Sequence, residues 1–95
     1  MSIPVTIIGH AKRLFDSPEY DLEYTPGMTV RDVFVQLSRH SGPDFARAIY
    51  DVKNDLMNES IVVFVNSREI RTLCGMGTIL KDGDEVTLMP PMSGG

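Results

Sequence analysis

Along residues 3–8, Ile3, Val5 and Ile7 alternate with Pro4, Thr6 and Ile8, a run rich in β-branched side chains that closes at Gly9. That alternation predicts a first strand. Tyr20-Asp21-Leu22-Glu23-Tyr24 again alternates apolar and charged residues before the turn dipeptide Pro26-Gly27, which predicts a second strand with one wet face. The two suggest an antiparallel hairpin whose connection, roughly residues 9–19, is longer than a tight turn.

The period then changes. Val30, Val33, Phe34 and Leu37 fall at i, i+3, i+4 and i+7, Thr29 can cap the segment, and Asp32 stands in a capping-box-like position. This is the principal helix, and its apolar stripe requires a sheet to cover it. Arg39 and His40 suit its C-terminal dipole, and Gly42-Pro43 ends it. From Pro43 onward Phe45, Ala48, Ile49 and Val52 repeat the helical spacing, which reads either as a second, shorter helix or as a loop with one helical turn.

Ile61-Val62-Val63-Phe64-Val65 is apolar at every position, as for a strand flanked by others and covered on both faces. Asn66-Ser67-Arg68 reads as a turn, Glu69-Ile70-Arg71 as a brief extended piece, and Gly75-Met76-Gly77 as a flexible loop. Lys81-Asp82-Gly83-Asp84 is a strong turn signal leading into a last strand, Glu85 to Met89, with Val86 and Leu88 inward. Pro90-Pro91 forbids further ladder pairing, so Met92 to Gly95 reads as a free tail. The order of elements is that of an α+β domain with one main helix packed across a mixed sheet.

Ninety-five residues suffice for one domain, here residues 1–89, followed by a tail at 90–95. A net charge of −4 argues against a nucleic-acid binder that depends on phosphate contacts, and favours a basic protein partner. The one cysteine, Cys74, can form no intramolecular disulfide or thiolate cluster, which fits a reducing compartment. The N-terminal residues carry no signal-peptide pattern, and the longest apolar run, Ile61 to Val65, is strand-sized. A cytoplasmic protein without membrane attachment is expected.

Lys81-Asp82-Gly83-Asp84-Glu85-Val86, followed by Pro90-Pro91-Met92-Ser93-Gly94-Gly95, resembles the sulfur-carrier branch of the ubiquitin-like β-grasp proteins. That branch includes the molybdopterin synthase small subunit, which the motif resembles most, and the thiamine-biosynthesis sulfur carrier. The resemblance implies a mixed sheet of four to five strands packed on one main helix, with a flexible C-terminal tail. It also implies that the Gly95 carboxylate is adenylated with ATP by a ubiquitin-activating-like enzyme and converted to a thiocarboxylate. The chain itself then binds no cofactor and catalyses nothing. Its further partner would be a large synthase subunit, in a heterotetramer. A protein modifier joined through Gly95 to lysines, a carrier for thiamine or another metabolite, and a non-covalent module with an inert tail are the alternatives.

Physical chemistry supports the roles of the tail residues. A carboxylate is a poor electrophile until adenylation gives it a leaving group. Gly94 and Gly95 lack a Cβ and can thread a narrow channel. Residues 90–95 can reach roughly 20 Å, and the two prolines stiffen the base of that reach. Two terminal glycines alone equally describe a frayed end.

The outward-facing apolar set from Ile61 to Val65, Phe64 among it, forms with Met89 and Met92 a candidate docking patch beside the tail, unless the chain's own loop covers that face. Cys74 reads as a small buried hydrophobe rather than a nucleophile. His10 and His40 have no partners at ligand spacing, so no metal is expected, and Asp82 and Asp84 read as turn-forming residues. Gly75-x-Gly77 lacks the context of a phosphate loop.

Overall fold

The capping box that opens the principal helix forms as its residues suggest. The Thr29 backbone N–H donates to Asp32 Oδ2 at 2.9 Å and the Asp32 N–H donates to Thr29 Oγ1 at 3.4 Å, which satisfies two donors that a helix start leaves unpaired. Helix α1 spans Val30–Leu37 and buries Val30, Val33, Phe34 and Leu37. A 3-10 turn, Ser38–His40, carries Arg39 and His40 onward from its end. The computed structural model describes residues 1–9, 15–42 and 44–89. His10, Pro43 and the whole 90–95 segment lie outside the described residues.

Strands β1 (Ser2–Ile7) and β2 (Glu19–Glu23) form the expected antiparallel hairpin. Further along, β5 (Val62–Val65), β6 (Arg68–Glu69) and β7 (Val86–Met89) complete a five-stranded sheet in the order β2-β1-β7-β5-β6. Only β1 and β7 run parallel, so the N-terminal strand and the last strand lie side by side at the centre. The helix lies between them in sequence and packs on one face of the sheet, against Ile3, Val5, Ile7, Leu22, Val63, Val65, Val86 and Leu88. This is the β-grasp architecture. The segment returning to β7 is tied to the start of α1, where Val30 N–H donates to Thr78 O at 3.0 Å and Leu80 N–H to Met28 O at 2.8 Å.

The fold decides four points. First, of the two readings left open from Pro43 onward, the loop with one helical turn holds: α2 (Phe45–Ala48) is followed by a small ribbon of β3 (Tyr50–Asp51) and β4 (Leu56–Met57), with Val52 exposed in its turn. Helical spacing through Val52 was outweighed by turn chemistry: Asp51 Oδ1 accepts from the Lys53 and Asn54 N–H groups at 3.1 and 3.3 Å, and Asp55 adopts φ +53°. Second, Ile61-Val65 is covered on one face only. Ile61, Val63 and Val65 are buried, whereas Val62 and Phe64 are half-buried, because the helix covers one side of the sheet. Third, Gly75–Gly77 is an ordered 3-10 turn in which Thr78 Oγ1 donates to Gly75 O at 2.7 Å and accepts from the Cys74 N–H at 3.0 Å. The piece read as extended at Glu69-Ile70-Arg71 likewise turns into a 3-10 turn at Ile70–Thr72.

Candidate functional site

Of the residues singled out for partner binding, Phe64 and Met89 are described, and they share one face. Cross-strand register pairs Val62 with Met89 and Phe64 with Thr87, and side chains two residues apart on a strand point the same way. Val62, Phe64, Thr87 and Met89 therefore form a cluster on the side of the sheet away from α1. Pro4 and Thr6 extend it, since Thr6 pairs with Thr87. Val62, Phe64, Thr87 and Met89 are all half-buried, so among the described residues no loop covers them. Glu19, Asp21, Glu23 and Glu85 are exposed around this apolar centre.

The end of β7 is held firmly. Asn66 N–H donates to Glu85 O at 2.8 Å; antiparallel alternation then makes Phe64·Thr87 and Val62·Met89 hydrogen-bonded pairs as well. The main chain thus leaves a fixed ladder at Met89, and Pro90, which has no N–H, follows it in sequence. At the other end of β7, the Lys81-Asp84 turn is built as its residues suggest. Lys81 N–H donates to Asp84 Oδ2 at 2.8 Å, Ser2 N–H to Asp82 Oδ1 at 3.1 Å, and Gly83 takes φ +89°. Asn66, at φ +58°, clasps the end of that turn: its Nδ2 donates to Asp84 Oδ1 and its Oδ1 accepts from Glu85 N–H, each at 2.9 Å.

Pro90, Pro91, Met92, Ser93, Gly94 and Gly95 lie outside the described residues. Cys74 is exposed rather than a buried hydrophobe. His40 is exposed and stacks beside Tyr20, ring centroids 5.0 Å apart. Among the described residues no three His, Cys, Asp or Glu side chains converge to hold a metal, and no helix is long and apolar enough to cross a membrane. Sequence reasoning missed Thr87, Pro4 and Thr6 as members of the face. Their period-2 positions were visible, but which strands stand side by side was not.

A second cluster escaped it altogether. Asp55 Oδ1 accepts from the hydroxyl of buried Tyr50 at 2.5 Å and from Arg31 Nε at 3.0 Å, fastening the β3–β4 ribbon to α1. The Tyr50 hydrogen bond and the Arg31 guanidinium hold the Asp55 carboxyl below its ordinary range. Burial and the Asp55 carboxylate push the Tyr50 hydroxyl up.

A central parallel pair crossed by one helix, with the last strand paired to its end beside a half-exposed apolar face, defines a small ubiquitin-like β-grasp protein. Residues 5–95 match the model of the ThiS family, and the chain belongs to that family. It is 31% identical over 68 residues, 72% of this chain and 75% of the relative, to an Archaeoglobus fulgidus protein named "Putative sulfur carrier protein". Among solved structures it resembles small archaeal modifier protein 1 of Methanosarcina acetivorans, with TM-score 0.79, 30% identity and 99% and 96% of the two chains covered. It also resembles a chain of the BexX/CysO complex of Amycolatopsis orientalis, with TM-score 0.68, 30% identity and 98% and 99% coverage.

Proposed function

We propose that this chain is a sulfur carrier whose Gly95 carboxylate is activated and turned into a thiocarboxylate that delivers sulfur to a pterin precursor in molybdopterin synthesis. The observation that carries the reading is a family match running through Gly95, joined to a last strand that stays paired up to the residue before Pro90. A carboxylate oxygen of Gly95 attacks the α-phosphorus of ATP on an adenylating enzyme, and pyrophosphate leaves. A hydrosulfide sulfur then attacks the acyl carbon and AMP leaves; if the donor is a persulfide, a second thiol cleaves the S–S bond to release the thiocarboxylate. No side chain of this protein takes part in either step, so the chain acts as a substrate and as a non-catalytic subunit of a synthase.

The Phe64–Met89 face docks the adenylating enzyme and, in turn, the large synthase subunit, while residues 90–95 extend into each active site. The half-buried apolar centre with an acidic surround is the composition expected of a surface that pairs by burying its middle and steering with its rim. The Asp-Gly-Asp-Glu-Val turn and Pro-Pro-Met-Ser-Gly-Gly ending favour the pterin acceptor over thiamine. A second reading, conjugation of Gly95 to lysines of other proteins, is favoured by the likeness to an archaeal modifier protein.

The test is ATP-dependent pyrophosphate release with the cognate adenylating enzyme, followed by mass spectrometry of the C-terminus. Release that requires Gly95, together with replacement of one terminal oxygen by sulfur, supports the carrier. Branched Gly-Gly remnants on lysines of cellular proteins, with no sulfur at the terminus, support the modifier. Activity that survives deletion of Gly94 and Gly95 overturns both.

A further inference from the structure

The other end of the sheet carries a row of backbone groups with no partner among the described residues. Strand β2 is an edge strand. Ile7 N–H donates to Pro18 O at 2.8 Å and Tyr24 N–H to Met1 O at 3.2 Å, which fixes the alternation along β1·β2. Val5·Tyr20 and Ile3·Leu22 are therefore the hydrogen-bonded pairs, whereas Pro4·Asp21 and Ser2·Glu23 are not. The N–H and C=O groups of Asp21 and Glu23 thus point away from the sheet, with no partner among the described residues. Those of Glu19 are occupied by Ser17, whose Oγ accepts from the Glu19 N–H at 3.2 Å and donates to its carbonyl at 2.8 Å.

Beside this edge, on the helix side, lies a depression of about 440 Å³ whose lining includes Met28, Val35 and Gln36. Besides the Glu23 backbone, its lining includes Asp32 and Arg39, one charge of each sign. On the opposite side of the edge stand the exposed carboxylates of Glu19, Asp21 and Glu23.

We propose that the β2 edge is a second docking site, which takes an extended basic segment of a partner protein as an added strand. An added strand would pair its backbone with Asp21 and Glu23. Its alternate side chains would then fall into two rows. Those on the outer side meet the carboxylates and are lysine or arginine; those between them face Met28 and Val35 and are apolar. A second copy of this chain is the wrong occupant, because edge-to-edge pairing would set Asp and Glu against one another at cross-strand distance. The opposite edge, β6, is only two residues long and offers no comparable row. Strands β1 and β7 separate β2 from β5, so the added strand leaves the Phe64–Met89 face open, and one carrier could hold a bystander protein while its C-terminus is being charged.

The probe is a synthetic peptide alternating lysine and valine, added to the isotope-labelled full chain at physiological ionic strength. Amide shifts at Asp21, Glu23, Val35 and Gln36, slowed hydrogen exchange at the Asp21 and Glu23 amides, and unmoved signals from Val62 and Phe64 are expected. Methylating the lysine backbone nitrogens, which keeps the charge but removes the pairing donors, should weaken binding at least about tenfold. The Asp21→Lys, Glu23→Lys double variant, altered only at exposed positions, should lose it to a similar extent. Equal affinity for the methylated peptide would reduce the interaction to charge attraction and overturn the proposal. So would the absence of binding at millimolar peptide, or protection of Asp21 and Glu23 that grows with protein concentration without peptide.

Discussion

Asp55 is a single exposed carboxylate that receives a buried phenol and a guanidinium, and its consequences are readable one residue at a time. Its folded pKa is depressed, so the stability it contributes is present above the unfolded carboxylate value of about 4 and is lost as pH falls through the folded value. Asp51, held down mainly by the Asn54 side chain, acts in the same sense. Urea titrations from pH 6 downward should show stability falling in the acid limb, and Asp55→Asn should flatten that limb. Tyr50 runs the other way: its raised value means stability present below about pH 10 that fades as the hydroxyl ionises. Tyr50→Phe should cost about 1 kcal/mol at neutral pH and soften the alkaline loss. At Asn66 a residue with left-handed backbone makes two side-chain hydrogen bonds, so Asn66→Ala should cost roughly 1–2 kcal/mol, with Asn66→Gly recovering only the backbone share.

Among the elements, α1 is the most legible, because cap, first-turn acid and apolar stripe all agree in register. Thr29→Ala should lower stability by about 1 kcal/mol, seen as an earlier thermal midpoint with an unchanged fold. The β3–β4 ribbon was illegible because two-residue strands carry no period, and Ile49 and Val52 mimic a helical stripe until Asp51 and Asp55 bend the chain. Strand β5 shows a different limit. An all-apolar run states that both faces avoid water, but Val62 and Phe64 avoid it only in part, which makes them the centre of the proposed docking face. Phe64→Ala should lower the thermal midpoint by several degrees, well short of the loss for a fully buried phenylalanine, and, with the carrier still folded, reduce adenylation by the cognate enzyme at least tenfold at limiting carrier, about the 1.4 kcal/mol of one contact at an interface centre.

For the whole molecule, packing and charge make separable demands. Phe34, fully buried between helix and sheet, should cost about 3–5 kcal/mol when replaced by alanine, a large part of the total for a domain this small. The net charge of −4 should speed encounter with a basic partner and make the association rate fall as salt rises. By itself the sequence determined the helix and its cap, the pairing sense of the first hairpin, the Asp82-Gly83-Asp84 turn and the apolar strand at 61–65. These are local, written in periodicity and in side chains that bond to their own backbone. Only the tertiary structure decided that the first and last strands lie in parallel at the centre and that Phe64 and Met89 share a face with Val62 and Thr87. It alone decided that Asp55 reaches Arg31 and that the bonding groups of Asp21 and Glu23 face outward. Each of these joins residues far apart in the chain, and a period of two says which side chains agree with one another but not which neighbour they will meet.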